Sequence, residues 1–539
     1  MCRFLPVFLI FKLYLYSRMK KTIIAHWPAI TIFLLSLVIG LLIFPDYGLS
    51  IDEDSQRGID YHAYEYVMGR NPDYVNFIFR DHSPGFEWPL IFLEKILGVT
   101  EYRNIFLMRH IASYGFFLMC MMVGYALVYQ LFKNKLLACI ALIALIYNPV
   151  LFAHSFFNPK DIPALCMIIL CIAAAYWAFN RQKYILFFLF GLVCGYGGCV
   201  RLMNLVILVP VALLFLIDLV AAIRAKEGNA KRVVLQGITY LCGICIALYV
   251  SWPALWVKPI DNLILAYNSY AKFDWVNYVL FNGERILSTK LPWTYIPVSF
   301  GITTPELWIL LGIAGMVLFA VRCVIRPSIL MKGTTNHILL LSFLCFVLPV
   351  AMVIITKPVL YDSWRHMFFI YPPFIIMAAY ALNEILKTKA RKIMLLVCGL
   401  QMIILAQFMI KNHPFQQVYF NHFVSHEKDY LYNHYELDYW AVCNKQALEW
   451  LANYTDEPKI KINHDGWQSV VYYNLSFLDN KYKERFILTA DKDHDQLDYY
   501  VEYFRTQPFK QPSEKYPDAK IIHEQRVLNS PIYRIVKMR

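Results

Sequence analysis

The chain has 539 residues, 59% of them hydrophobic, 16% aromatic and only 17% charged, with a mean hydropathy of +0.45. That profile excludes an ordinary soluble domain and fits a protein that crosses a bilayer many times. The formal net charge is +13, but the basic residues fall between apolar segments and form no aromatic-interleaved face, so nucleic acid is not an expected partner.

Residues 1–18 are a short apolar stretch, and Met19-Lys20-Lys21 has the character of a start. They read as an upstream start-site artefact or a short extra segment, with 1–21 as the cytoplasmic N-terminus. Thr22 to Phe44 contains no Asp, Glu, Lys or Arg and is long enough to span the hydrocarbon core. Lys20 and Lys21 flank its start, so the positive-inside rule puts the N-terminus in the cytoplasm and the following Asp52-Glu53-Asp54 outside.

Ten further spans are expected near 105–131, 135–154, 162–180, 184–200, 202–221, 233–253, 306–322, 337–356, 366–384 and 393–411, about eleven in all. The loops this places inside carry Lys133/Lys135, Arg181/Lys183, Arg224/Lys226/Lys231/Arg232, Arg322/Arg326/Lys332 and Lys387/Lys389/Arg391/Lys392, with Glu227 and Glu384 almost their only acids. The first outer loop, 45–104, has eleven acids against five bases, so every loop agrees on one orientation. Three long regions then lie outside: 45–104, 254–305 and the tail 412–539. The domain expectation is a transmembrane unit over 22–411 followed by an extracytoplasmic α/β domain over 412–539. Within that tail, Ala447 to Leu451 has helical character, and Lys459 to Asn463, Phe486 to Leu488 and Ile521-Ile522 have strand character.

Eleven of the thirteen cysteines lie in or at the ends of apolar spans, and Cys443 alone is in the tail, so no disulfide framework is available there. Cys242-Gly-Ile-Cys245 has redox spacing but sits inside a span without His or acidic partners and reads as packing. His62, His82, His110 and His154 have no metal-site spacing, and no metal ligands are assigned. Most of the 38 Tyr, 38 Phe and 12 Trp read as core, lipid-facing or interfacial residues.

Four polar features fall on the same outer face: Asp52-Glu53-Asp54; the loop His154 to Asp161, in which Lys160-Asp161 opens a span; Arg201, in the turn Gly195-Tyr-Gly-Gly-Cys-Val-Arg201; and Trp364-Arg365-His366, before Tyr371-Pro372-Pro373. Singly, each is as well explained by ion pairing or snorkelling to headgroups. Together they have the character of a phosphate site beside a general base, because Arg grips phosphate oxygens bidentately and a carboxylate can take a proton from an attacking hydroxyl.

The ordered set resembles the polyprenyl-phosphate-dependent glycosyltransferases of the GT-C fold, the group of protein O-mannosyltransferases and bacterial lipid A aminoarabinose transferases. Asp52-Glu53 is similar to that family's Asp-Glu motif in the first outer loop, Lys160-Asp161 to its second acid, Gly191 to Arg201 to its Gly-rich turn, and Arg365 to Pro373 to its Arg-aromatic-Pro span. Leu291 to Pro297 and Thr303-Thr304-Pro305 are similar to its long middle outer loop. The resemblance covers roughly residues 20–411. Asp54 and Ser55-Gln56-Arg57 depart from the family's pattern, so the choice among the three acids stays open.

The resemblance implies an integral membrane hexosyl- or pentosyltransferase that moves a sugar from a polyprenyl-phosphate carrier to an acceptor on the outer face. Asp52 or Glu53 would be the base, with Asp161 as a further catalytic acid, and Arg201, Arg365, His366 and Lys160 would hold the donor phosphate. The implied partners are the lipid-linked sugar, a glycan, lipid or protein acceptor, and the bilayer. No cofactor is expected beyond that co-substrate, and a divalent cation stays open. The expected location is a cell membrane, the bacterial inner membrane, with the N-terminus inside and the C-terminal domain outside. A lipid-linked sugar transporter or flippase, which would place charges at mid-membrane, and an O-antigen polymerase or ligase are the alternatives.

Overall fold

The structure, a computed structural model, describes residues 25–225, 229–271, 275–464, 468–489, 497–504 and 518–538. Lys20, Lys21, Lys226 and Glu227, used above to orient the chain, lie outside these residues, as does the whole segment 1–18.

Among the described residues nine helical segments are long and apolar enough to cross a membrane. The site depends on α1 (Trp27–Ile43), α4 (Tyr102–Phe132), α7 (Asp161–Arg181), α9 (Leu208–Ala225), α10 (Ala230–Ser251), α13 (Glu306–Ile325), α14 (Thr334–Thr356), α15 (Tyr371–Ile385) and α16 (Arg391–Lys411). The other two expected spans are less regular. One is a pair, α5 (Lys135–Ile146) and α6 (Pro149–Phe157), bent by 59°. Its break follows from local chemistry: Asn148 caps α6 by accepting from the Leu151 amide, and Pro149 at the first helical position cannot donate back into α5. The other, α8 (Tyr184–Val200), is 17 residues long.

Both must nevertheless cross. Asp161 and Arg201, at the two ends of α7–α8, are in contact, and Arg365 reaches Asp161 and Asp52. The segments joining these residues therefore make even numbers of crossings: two from Asp52 to Asp161, two from Asp161 to Arg201 and four from Arg201 to Arg365. With α1 before and α15–α16 after, the total is eleven, in the places the sequence indicates. Tight turns at the opposite end support it. Lys133 and Gln182, each with a left-handed backbone (φ 54° and 55°), end α4 and α7, and the next helices begin two residues later.

Helices α8 and α10 pack closely because both lack side chains where they touch. A Cβ on Gly191 would overlap the Tyr240 carbonyl, and one on Gly243 would overlap the Phe188 carbonyl. Small residues permit such backbone approach in membranes, where apolar side chains gain nothing by leaving lipid.

The outer regions are folded, not open loops. The first contains α2 (Glu53–Val67) and α3 (Glu87–Leu97); the second contains α11 (Pro259–Ala271), the hairpin β1 (Tyr278–Phe281) with β2 (Glu284–Leu287), and α12 (Tyr295–Thr303). The tail contains α17 (Tyr430–His434), α18 (Asn444–Tyr454) and α19 (Gln468–Phe477). Its sheet has the order β4-β3-β5-β7-β6, built from β3 (Ile460–His464), β4 (Phe486–Leu488), β5 (Tyr499–Tyr503), β6 (Lys520–Val527) and β7 (Ser530–Lys537). Strand β3 is parallel to β4 and β5, whereas β7 is antiparallel to β5 and β6, a mixed α/β sheet.

Two outcomes are expected. A reporter fused at Lys389 should lie on the opposite side of the membrane from one fused at Glu457; the same side for both would break the eleven-crossing count. Gly191→Leu should lower the thermal midpoint in detergent clearly, whereas Gly399→Leu, where a Cβ meets nothing within 4 Å, should not.

Candidate active site at the helix ends

The site is assembled from the ends of four helices. Asp161 is the first residue of α7, and the preceding turn is fixed by Asn158, whose Oδ1 accepts from the amides of Lys160 (3.2 Å) and Asp161 (2.8 Å). That fixes the Asn158 amide orientation, so its Nδ2 donates to Asp161 Oδ2 (3.1 Å) and to His154 Nδ1 (3.2 Å). Because Nδ1 accepts, neutral His154 carries its proton on Nε2, which lies 3.0 Å from the Tyr439 hydroxyl.

Two arginines converge on Asp161. Arg201, extended between α8 and the next span, pairs through Nη1 with Asp161 Oδ1. Arg365 reaches Asp161 Oδ2 at 3.3 Å through Nη1 and Asp362 Oδ2 at 2.9 Å through Nε. The guanidinium of Arg365 also lies 4.8 Å from the Tyr361 ring centre and 5.1 Å from that of Trp440. Asp161, Arg201, Asp362 and Arg365 are all buried. Burying an ion costs several kcal/mol, and the pairs roughly offset it.

The three consecutive acids separate. Asp52 precedes α2 and makes no capping bond to it; its side chain is 32% exposed, and Oδ2 lies 3.9 Å from Arg365 Nη1. Glu53 is buried: it accepts from the Ser50 amide (2.8 Å) and contacts His110 Nε2 (2.9 Å). Asp54 is part-buried, one residue further around the helix.

Lys160 is buried and its Nζ lies 2.9 Å from His82 Nδ1; His82 is in turn 3.9 Å from Asp60 Oδ2. Partial burial, with Lys160 and then Arg201 beside it, holds His82 well below the usual histidine range. Burial and the nearby Glu87 push Asp60 well above the usual carboxylate range, against the pull of Lys160 and Arg109. His366 is part-buried and its ring meets Tyr361 edge-on at 4.7 Å, so it borders the arginine cluster without a polar bond to it.

The first outer loop is held against this cluster by a second ionic group. Arg109 pairs with Glu87 and, at 2.7 Å, with Glu94, which also receives a bidentate Arg57 (2.9 and 3.1 Å). The Gly85 amide donates to the Cys199 carbonyl at 2.7 Å, an approach that a Cβ on Gly85 would obstruct. Loop and arginine-bearing turn are thus in direct backbone contact.

The structure brings together Asp52, Asp161, Arg201, Arg365 and Lys160 from the sequence reading, and adds Asp362, Tyr361, His82, Asn158, Tyr439 and Trp440. Asp362 had a usable signal, an acid three residues before Arg365. Tyr439 and Trp440 stand out in the tail segment Glu436 to Trp440, but nothing in the sequence places them at the site, since only the tertiary fold carries the tail back to the membrane. Among the described residues no group of three or more His, Cys, Asp or Glu side chains is arranged to hold a metal ion.

Residues 85–258 match the family model described as dolichyl-phosphate-mannose-protein mannosyltransferase. Among curated proteins no sequence matches. Solved structures with a similar course include the Archaeoglobus fulgidus oligosaccharyltransferase AglB, in complex with an inhibitory peptide and a dolichol-phosphate, at 11% identity and a TM-score of 0.48 over 89% of this chain and 70% of that one. They also include ArnT from Cupriavidus metallidurans bound to undecaprenyl phosphate, at 10% identity and a TM-score of 0.46 over 95% and 98%. At that level of similarity neither assigns a role to any residue here. The family match spans about a third of the chain, takes in α7, α8 and Arg201, and bears out the resemblance read from the motifs. The protein is a multi-pass membrane glycosyltransferase that uses a lipid-linked donor.

Removing one member of a buried ionic cluster leaves its partners uncompensated, typically at about 3–5 kcal/mol. Asp161→Asn should therefore markedly lower the unfolding midpoint in detergent, whereas Asp52→Asn, at a part-exposed side chain, should leave it within about 1 °C of wild type.

Proposed function

We propose that the protein transfers a sugar from a polyprenyl-phosphate carrier to an acceptor hydroxyl on the outer face, with Asp52 as general base and Arg201 and Arg365 as the donor-phosphate site. The observation that carries this reading is the pairing of opposites at one membrane face: one accessible carboxylate stands beside two buried guanidiniums. Arg201 supports it further, because its Nε is buried and has no partner among the described residues, a donor left over for an incoming oxygen.

In the proposed reaction the acceptor hydroxyl gives its proton to Asp52 as its oxygen bonds to the anomeric carbon. The bond from that carbon to the phosphate oxygen breaks, and its electron pair leaves with the polyprenyl phosphate. Charge grows on the leaving phosphate, where pre-positioned cations contribute most. Asp161 and Asp362 hold Arg365 in place, and Asp161 also holds Arg201. Lys160 is a further cation at the edge of the site, and His366 lines it. Glu53 serves the position of α2 in this reading and leaves Asp52 as the base.

The side of the membrane is part of the proposal. Lys and Arg concentrate in the loops at the end opposite the site, which supports a cytoplasmic N-terminus and an extracytoplasmic C-terminal domain. A flippase reading is disfavoured because the charges gather at helix ends on one face, not at mid-membrane.

Loss of a general base costs about 10²–10⁴-fold, so Asp52→Asn should lose that much transfer from a polyprenyl-phosphate sugar while Glu53→Gln retains most of its kcat once folded. Equal activity of Asp52→Asn and wild type would sink the assignment. Arg365→Lys keeps a charge but not the planar fork, so it should keep partial activity and Arg365→Ala little. The loss should fall on kcat as well as KM, since the contact strengthens in the transition state.

A further inference from the structure

The C-terminal domain reaches the site with two adjacent residues. Trp440 is buried, with its ring 5.1 Å from the Arg365 guanidinium and edge-on to His154 at 5.3 Å. Its carbonyl accepts from the Ile51 amide at 3.3 Å, one residue before Asp52. Tyr439 meets His154 Nε2 at 3.0 Å, and His154 connects through Asn158 to Asp161. The pair thus reaches both arms of the site: Arg365 and the Ile51 amide beside Asp52 through Trp440, and Asp161 through the relay Tyr439–His154–Asn158.

This contact is built, not incidental. The domain is tied to the chain just before Asp52 by Asn474, whose Oδ1 accepts from the Leu49 amide (2.9 Å) and whose Nδ2 donates to the Leu49 carbonyl (3.0 Å). Gln446 donates to the Asp46 carbonyl, and the Tyr47 hydroxyl donates to Gln416 Oε1 at 2.9 Å. Asp438 fixes the Tyr439-Trp440 turn, its Oδ2 accepting from the Cys443 amide (2.7 Å) and its Oδ1 from Gln417 Nε2 (3.1 Å). Trp440 Nε1 is buried without an acceptor among the described residues, the only polar group of that ring and one that a bound oxygen would satisfy.

We infer that the C-terminal domain is a working part of the transfer site, and that Tyr439 and Trp440 are positioning residues. They hold Arg365 and the segment entering Asp52 in register for a lipid-borne phosphate. The inference rests on the proposed donor reading and assigns the tail a role that reading leaves open. The flat ring of Trp440 limits where the guanidinium can lie, and its carbonyl limits where Asp52 can move. A single residue, through its ring and its carbonyl, therefore couples the cation that receives the leaving phosphate to the segment that carries the base.

The test uses the full-length protein in detergent with undecaprenyl phosphate as the binding probe, together with kcat and KM for transfer from an undecaprenyl-phosphate sugar. Trp440→Phe keeps a ring over Arg365 and should bind within about threefold of wild type. Trp440→Leu should bind about tenfold more weakly and lose kcat as well, in protein that stays folded at the assay temperature. Trp440→Leu combined with Arg365→Lys should lose less than the product of the two single losses, because one acts through the other. If Trp440→Leu does not fold, Tyr439→Phe carries the test: it deletes one hydroxyl and should lower kcat severalfold with little change in KM. Wild-type binding and turnover in Trp440→Leu, or in Tyr439→Phe if that variant carries the test, would overturn the inference, as would fully multiplicative losses in the double variant. Failure of the donor reading looks different, because wild-type protein would then not bind undecaprenyl phosphate, and both conclusions would fall.

Discussion

Asp161 held between Arg201 and Arg365 is the interaction on which the rest of the site depends. At an effective dielectric near 20, a pair of charges at 4 Å attracts by about 4 kcal/mol, while each buried ion has lost several kcal/mol of hydration. The balance is close to neutral, so the cluster is a poor explanation of stability. What it supplies is placement. Two buried cations are held in place by their ion pairs, so little reorganisation is required when charge develops nearby.

The architecture converges on that triad. Its acid opens α7, and one arginine leads into the span Arg365–Ile385; these two spans have the most buried apolar windows of the nine, 83% and 89%. Other spans, such as Trp27–Asp46 at 17%, are left uncovered by the protein along most of their length. Charges that could not be tolerated against hydrocarbon are therefore carried by the helices most shielded from it. The close α8–α10 contact through Gly191 and Gly243 fixes the helix that ends in Arg201; the Gly85–Cys199 backbone bond sets the first outer loop against it, and the Arg109–Glu87–Glu94–Arg57 group ties that loop to α4.

How much of this the sequence reveals follows from the range of each signal. Hydropathy and loop charge are local and strong, and they locate the nine long apolar helices of the described residues as well as the bent α5–α6 pair and the short α8. The four polar features are visible because each lies at the end of an apolar run. The tail's strands show in Lys459 to Asn463, Phe486 to Leu488 and Ile521-Ile522, but not the sheet order, which depends on pairings between distant segments. The place of Tyr439 and Trp440 at the site was illegible for the same reason: nothing near them in sequence records that they approach His154 and Arg365 from nearly three hundred and some seventy-five residues away respectively. His82 and Asp60, too, acquire meaning only when the loop folds beside Lys160.

The three acids at 52–54 show why composition alone could not choose among them. Successive residues at a helix start are turned by about 100° relative to one another, so adjacent identical charges can meet unlike surroundings. Glu53 is directed into the protein, where the Ser50 amide and His110 engage both carboxylate oxygens. Its acceptors are thereby committed, and it anchors the first turn of α2. Asp52 stands one residue earlier, makes no capping bond, keeps about a third of its side chain accessible and lies near a guanidinium already held by Asp161 and Asp362. A base must be reachable by its substrate and must not be fully occupied by the protein. Of the two adjacent acids, the geometry leaves that condition to Asp52, and the buried Glu53 is what keeps it there.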